Sequence, residues 1–503
     1  MLFSCSKDRR QSGVSPSAAK VAERTSPPPV QSVPAQPIAA AEHIVKAKPY
    51  NGFTSSACKE GNPPVRTYLF VSTVVLSIFG FTAAAQTPPP SPPASYIRAG
   101  HLLDPATGHY ADNVTLVVAN QRVQSVEPAG FQPPAGAQVL DLSSEYVLPG
   151  LIDCHTHLGS RADRYEEIDK FKDTPFDSAI AGVVNARKTL EAGFTTVRDV
   201  GSLPFLAVDL RNNINAGFIP GPRIVASGPG ISITGGHGDL NNYAPEVTKT
   251  LFPEKNDFKI ADGSEEVRRT VREQVKYGVD VIKILASGGV LSKGDQPGAP
   301  QYTLEELKVA ADTAHQAGRK IAAHAHGAQS IKWAIQAGID SIEHASLVDD
   351  EGIAMAKAHG TYFVMDIYDD DYILQEGPKI GMPQELLIKE RGVGQTQRDN
   401  FRKAHAAGVK MAFGTDAGVY PHGDNARQFH YMVLYGMSPA EAIQAATTSA
   451  ADLIGRSSDV GSLTPGHYAD LIALTTDPLQ HVEVLEHPDV VVKGGTLIKG
   501  TKK

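Results

Sequence analysis

Through the middle of the chain, segments with apolar residues every three or four positions alternate with short, almost wholly apolar runs, the pattern of helices packed on buried strands. Seven helical segments end in a residue followed by glycine: Ala192-Gly193, Ala216-Gly217, Tyr277-Gly278, Ala317-Gly318, Ala337-Gly338, His359-Gly360 and Ala407-Gly408. Glycine adopts the left-handed conformation that closes a helix without the cost imposed by a Cβ. A strand is predicted directly after each: Thr195–Val200, Arg223–Ser227, Val281–Ala286, Lys320–Ala325, Ser341–His344, Tyr362–Asp366 and Lys410–Gly414. Val147–His155 makes eight. Helix starts are marked as well: Thr303 with Glu306, and Ser438 with Glu441, form capping boxes, the second with Pro439 at the first helical position. Eight alternating units predict an α/β fold, a (β/α)8 TIM barrel. The runner-up is a doubly wound open sheet, but no phosphate-binding glycine fingerprint follows the first strand.

The two ends of this region have a different texture. Short strands with turn signals occur at Val114–Val118 and Val123–Val126, and again at Ala469–Leu474 and Val490–Ile498. Both ends are therefore expected to build one small β-sandwich, from residues 96–146 and 459–503, around a barrel of residues 147–458. The head of the chain is different again. Residues 1–64 are rich in Pro, Ser and Ala, as in Ser26-Pro27-Pro28-Pro29, and read as a disordered extension or one lying upstream of the true start. Arg66, the apolar run Thr67–Phe81 and Ala83-Ala84-Ala85 then have the layout of a secretory signal peptide over residues 65–85, followed by a Pro-rich linker over 86–95. The run is shorter than the ~20 residues that span a bilayer, which disfavours the alternative of an anchor. A periplasmic or secreted location follows, with no stable membrane insertion after cleavage.

Composition adds exclusions. With 41% hydrophobic residues, 20% charged residues and a net charge of −8, the 503-residue chain can bury a large core and has no basic footprint for nucleic acid. The cysteines Cys5, Cys58 and Cys154 form neither a disulfide framework nor a C-x-x-C zinc ribbon.

Active sites of such barrels form where the strands end. The first strand ends Asp153-Cys154-His155-Thr156-His157, and histidines at i and i+2 point to the same side of a strand. Alone, that pair could be chance. The fourth strand carries Lys283 in Val281-Ile282-Lys283-Ile284-Leu285. An unpaired buried ammonium is costly, so this lysine either snorkels to solvent or sits neutral in a cation-rich site, ready to be carboxylated by CO2. The fifth strand ends His324-Ala325-His326-Gly327, the sixth Ile342-Glu343-His344, and the eighth Phe413-Gly414-Thr415-Asp416. Ligand-type residues gathered at one end of so many strands point to a metal site.

These pieces, with Pro149-Gly150-Leu151-Ile152 before the first pair and the tail Gly461-Ser462-Leu463-Thr464-Pro465-Gly466-His467-Tyr468-Ala469-Asp470, resemble the amidohydrolase superfamily over roughly residues 96–500. Lysine is more usual there at the position of His467. The resemblance is to the two-metal branch that holds imidazolonepropionase-like proteins, Xaa-Pro and Xaa-Arg/Lys dipeptidases and ochratoxinase. It implies two divalent ions, zinc by the ligand types. His155, His157 and Asp416 would bind the buried ion and His324 and His344 the exposed one, with Lys283 bridging both as a carbamate. It further implies a metal-activated hydroxide, with Asp416 as the proton acceptor. His237, in a glycine-rich loop after the third strand, and His326 are candidate substrate contacts, as are Ser287 and Gly288, whose backbone N–H groups could hold a carboxylate.

The implied activity is cleavage of a peptide-like amide, in a dipeptide or an N-acyl amino acid, with toxin amides of the ochratoxin A type included, to release a free amino acid. The partner is thus a small-molecule amide or dipeptide, and a homo-oligomer stays open. A deaminase is disfavoured by Lys283 and by the missing Glu near His324. Lactone, ester or cyclic amide cleavage would use the same site. A non-catalytic binding protein of this fold would be expected to have lost a ligand position, and none is lost. The acidic segment Asp366–Tyr372 reads either as a solvated face or as a preference for basic substrates.

Overall fold

A computed structural model of the chain describes residues 94–165, 169–251 and 258–501. The extension, the signal-peptide segment and the linker up to residue 93 lie outside the described residues.

Strands β1 (Ser95–Asp104), β2 (His109–Ala119), β3 (Arg122–Glu127) and β4 (Gln138–Pro149) come from the beginning of the described chain. They form one sheet with β12 (Leu471–Leu474), β13 (Val490–Lys493) and β14 (Thr496–Lys499) from its end, in the order β14-β13-β12-β4-β1-β2-β3. All pairs are antiparallel except β1 with β4. The expected sandwich is thus one hydrogen-bonded sheet of seven strands, in which both chain ends take part. Its own apolar core includes Ile97, Leu116, Val118, Val123, Leu142, Leu471 and Val492.

Between these ends lie β5 (Leu151–Thr156), β6 (Phe194–Asp199), β7 (Arg223–Ala226), β8 (Val281–Leu285), β9 (Lys320–Gly327), β10 (Ser341–Leu347) and β11 (Tyr362–Val364). They form two parallel sheets, β5-β6-β7 and β11-β10-β9-β8. Every residue of β5, β6 and β8 is buried, as expected for strands covered on both faces. The helices between them follow their sequence signals. In helix Leu304–Gln316, Thr303 and Glu306 complete the capping box, and Leu307, Ala310, Ala311 and Ala314 form the buried stripe. The seven helix-ending glycines, 193, 217, 278, 318, 338, 360 and 408, all have φ between +67° and +98°.

Two expected strands differ. Val147–His155 is broken at Gly150, so β4 joins the seven-stranded sheet while β5 joins the parallel one. A Cβ at Gly150 would stand 2.1 Å from Thr195 Oγ1, so only glycine lets the chain cross this close to β6. Lys410–Gly414 makes only an isolated bridge, Met411 to Phe363. Its amides divide between neighbours, with Ala412 N donating to Phe363 O and Phe413 N to Ala445 O. Phe413 O in turn accepts from Cys154 N at 2.9 Å, linking this segment to β5. On the other side, Ile231 bridges to Ile284 of β8.

Candidate active site

Eight of the ten residues singled out for metal or substrate line one cavity of about 700 Å³: His155, His157, His237, Lys283, His324, His326, His344 and Asp416. β5 carries His155, with His157 just beyond its end. β8 supplies Lys283, β9 both His324 and His326, and β10 His344. Asp416 follows the bridged segment after Phe413. His344, Ala345 and Asp416 have φ of 67°, 50° and 54°, a left-handed backbone that costs a side-chain-bearing residue energy and gathers where function demands it.

The hydrogen bonds determine which imidazole nitrogen carries the proton. His157 Nδ1 lies 2.7 Å from Gly201 O, and a carbonyl only accepts, so Nε2 is the bare nitrogen. His344 Nδ1 donates to Asp366 at 2.7 Å, again leaving Nε2. His324 uses Nε2 toward Gly288 O at 3.3 Å, which leaves Nδ1. His326 follows from a longer chain. Gln397 Nε2 donates to Asp366 at 3.0 Å, so Gln397 Oε1 faces Ser346 and accepts its hydroxyl proton at 2.9 Å. Ser346 Oγ therefore accepts from His326 Nδ1 at 2.8 Å. By the same logic Ser292 gives its proton to Asp295 at 2.6 Å and accepts from His237 Nδ1 at 2.8 Å. Five second nitrogens are fixed this way, the arrangement that orients metal-ligating histidines.

Two buried atoms at the centre have no hydrogen-bond partner, His155 Nδ1 and Asp416 Oδ1. Asp416 Oδ1 lies 3.0 Å from His157 Nε2 and 3.5 Å from His155 Nε2 without a directed hydrogen bond to either. Lys283, 2% exposed, has neither a hydrogen bond nor an ion pair among the described residues for its Nζ. Burial pushes its pKa down to about 8, against the pull of Glu343 and Asp416. Burial likewise pushes His155, His324 and His326 well below the usual imidazole value, so all three are neutral. At His157 burial acts the same way, but Asp416 outweighs it and raises the imidazole. Ligand atoms of His324, His326 and His344 lie within 4.8 Å of one another, and so do those of His155, His157 and Asp416.

Beneath the site, Arg198 Nη2 meets both carboxylate oxygens of Glu343 at 2.9 Å, fully buried, while its Nη1 donates to Ser341 Oγ and its Nε to Cys154 O. Asp153 accepts from Thr415 Oγ1, Asn425 Nδ2 and the His155 amide, and burial raises it to about 7. Ser287 and Gly288 are placed differently from expectation. Ser287 Oγ is taken up by Gly288 O and the His326 amide, and the Gly288 and Gly289 amides already donate to Ala299 O and Asp295. Those N–H groups are not free for a carboxylate. What this loop offers the site is Gly288 O, which accepts from His324 Nε2 at 3.3 Å.

The sequence profile of the Amidohydrolase family matches residues 146–499. The chain belongs to the amidohydrolase family. An ochratoxinase of Aspergillus niger is 33% identical to it over 416 residues, covering 79% of this chain and 85% of the relative. Among solved structures, a Xaa-Pro dipeptidase with bound methionine in its active site is similar at 38% identity and a TM-score of 0.76, covering 81% of this chain and 100% of that one. A prolidase complexed with N-methylphosphonate-L-proline is similar at 30% identity and a TM-score of 0.75, with 81% and 100% covered. This amidohydrolase is a hydrolase acting on carbon–nitrogen bonds. The family is generally metal-dependent, and the clustered histidines and carboxylates are candidate ligands.

The residues that sequence reasoning passed over in this amidohydrolase are Asp366, Arg198, Glu343 and Asp153. In the sequence Asp366 belongs to an acidic segment that reads as a solvated face or a preference for basic substrates. In the structure Asp366, Asp369 and Asp370 are all buried, which overturns the solvated reading. Arg198 and Glu343 carried the same signal as Lys283, a charge inside an apolar strand, and could have been found by it.

Proposed function

We propose that this cavity is a two-metal amidohydrolase site that cleaves a peptide-like amide, in a dipeptide or N-acyl amino acid, and releases a free amino acid. The observation that carries the reading is the set of bare imidazole nitrogens facing one cavity, beside a buried lysine without a partner and an orphaned carboxylate oxygen. Such donors fit divalent cations, zinc in particular. His155, His157 and Asp416 would hold one ion and His324 and His344 the other. Lys283 would bridge them as a carbamate: its depressed pKa supplies a neutral amine, which adds to CO2 and loses one proton. When bound, the ions lower the pKa of water toward neutrality and polarise a carbonyl.

The chain's own residues supply the rest. Asp416 Oδ1, unpartnered and near both first-strand histidines, accepts a proton from the attacking water and returns it to the leaving amine. His326 and His237, neutral and with Nε2 bare, accept hydrogen bonds from the substrate. Asp366, Gln397 and Ser346 hold His344 and His326 in orientation.

The two parallel sheets, linked through Ile231 and through residues 411–413, support a closed (β/α)8 barrel over 147–458, with the β domain drawn from 96–146 and 459–503. Phe176, Ile180 and Val184 form an exposed stripe along helix Pro175–Glu191, which supports a homo-oligomer. No helix among the described residues is long and apolar enough to cross a membrane. The signal-like segment 65–85 supports a periplasmic or secreted enzyme. Nothing favours nucleic acid as a partner. Asp416→Asn is the direct test: turnover of an amide substrate falls by at least about 100-fold while the melting temperature stays near that of the parent. Retained turnover would remove Asp416 from the mechanism.

A further inference from the structure

Besides the histidines, Lys283 and Asp416, the cavity is lined by Asp369, Asp370 and Glu390. Carboxylates at such depth are costly unless paired. Most of the acids here are accounted for. Asp366 serves His344 and Gln397. Asp370 lies 3.3 Å from Arg398 Nε, and Asp371 lies 2.9 Å from Arg398 Nη2. Asp369 stands apart. It is 8% exposed, accepts one hydrogen bond, from the Asp370 amide at 2.9 Å, and has no ion-pair partner among the described residues. Glu390, also on the cavity wall and 3% exposed, faces Asp370, and these two buried carboxyls share a hydrogen bond. Among the described residues, Asp369 is thus the buried cavity carboxylate that no side chain of the chain satisfies.

We propose that Asp369 receives the α-ammonium group of the substrate, so that the enzyme favours an unblocked dipeptide over an N-acyl amino acid. This rests on the amide-hydrolase reading given above and narrows its substrate class. Distance selects the α-ammonium over a basic side chain. Asp369, Asp366 and Asp416 each present an oxygen within 4.8 Å of the others, so Asp369 lies one short step from the proton-accepting carboxylate. An α-nitrogen is two bonds from the scissile carbonyl carbon, about 2.5 Å away. A lysine side-chain nitrogen is six bonds away and would pass the carboxylate.

The test compares three amides of one released amino acid X on the purified full chain loaded with zinc: alanyl-X, propionyl-X, which lacks only the amine, and β-alanyl-X, in which the amine is moved by one carbon. Alanyl-X is expected to exceed each of the others by at least about 100-fold in kcat/KM, since the unpaired carboxylate is left buried with them. Asp369→Asn is expected to cut the alanyl-to-propionyl ratio at least tenfold, chiefly through KM for alanyl-X, with zinc content retained. Similar rates for all three amides would overturn the proposal, as would an unchanged ratio in the variant. Loss of bound zinc from Asp369→Asn would also overturn it, by making the residue part of a metal site. If the variant does not fold, the three-amide comparison on the parent decides alone. Failure to cleave any of the three, whatever X is, would instead sink the amide-hydrolase reading itself.

Discussion

Replacing Glu343 by glutamine removes one charge from the ion pair that ties three strands together under the active site. Arg198 and Glu343 are 2% and 0% exposed, and both Glu343 oxygens lie 2.9 Å from Arg198 Nη2. The guanidinium also holds Cys154 O of β5 and Ser341 Oγ of β10, so it cannot leave for solvent without breaking those contacts. Removing one partner of such a pair strands a buried charge and typically costs about 3–5 kcal/mol. For a folded unit of about 400 residues, with an unfolding entropy near 2.1 cal/mol/K per residue, that lowers the melting temperature by roughly 4–6 °C. Differential scanning calorimetry of the parent and Glu343→Gln at one pH and one metal concentration measures it. The double variant Arg198→Met with Glu343→Met should recover part of the loss, because no charge is then stranded, though Cys154 O still lacks its donor. A Glu343→Gln protein melting within about 1 °C of the parent would refute the reasoning, since a stranded buried charge cannot be that cheap.

Asp366→Asn should weaken metal retention by about 10–100-fold, because the carboxylate that accepts from His344 Nδ1 also sets the basicity of the nitrogen left for the ion. Chelator competition followed by metal analysis measures it, and unchanged retention would disconnect Asp366 from the site. Burial, with Arg223 adding to it, pushes Lys493 down to about 8, below the ~10.4 of a free lysine. Between those values the unfolded chain binds more protons than the folded one, so this residue makes stability rise with pH across that window. Lys493→Met removes the term but also the hydrogen bond to Gly221 O at every pH. The melting temperature of Lys493→Met minus that of the parent should therefore be more favourable at pH 7 than at pH 10, and parallel melting curves would contradict the shift.

Much of this site can be read from residue types placed at strand ends. His155, His157, Lys283, His324, His344 and Asp416 stood out because a polar residue ending or interrupting an apolar strand has few structural uses. The helix-ending glycines worked for the same reason, since a positive φ restricts the residue type. What stayed hidden depends on register between strands distant in sequence. Asp366 reaches His344 across the β10–β11 pair, and nothing within residues 366–372 tells which carboxylates turn inward. Arg198 and Glu343 find each other across 145 residues. The misplacement of Ser287 and Gly288 has a similar origin. Their N–H groups looked available in a glycine-rich loop, but the partners that occupy the Gly288 and Gly289 amides, Ala299 O and Asp295, are fixed only once the loop folds. The segment 410–414 is apolar enough for a strand, yet it shares its hydrogen bonds among Phe363, Ala445 and Cys154 and so makes no regular ladder.

The most direct test of the central claim is amino-acid release by the purified protein, with and without a chelator, from a panel of dipeptides and N-acyl amino acids that includes ochratoxin A. The account predicts release from some members, its loss on metal removal and its return when zinc is added back. A zinc-loaded enzyme that frees no amino acid from any amide, while it opens lactones, esters or cyclic amides, would contradict the account.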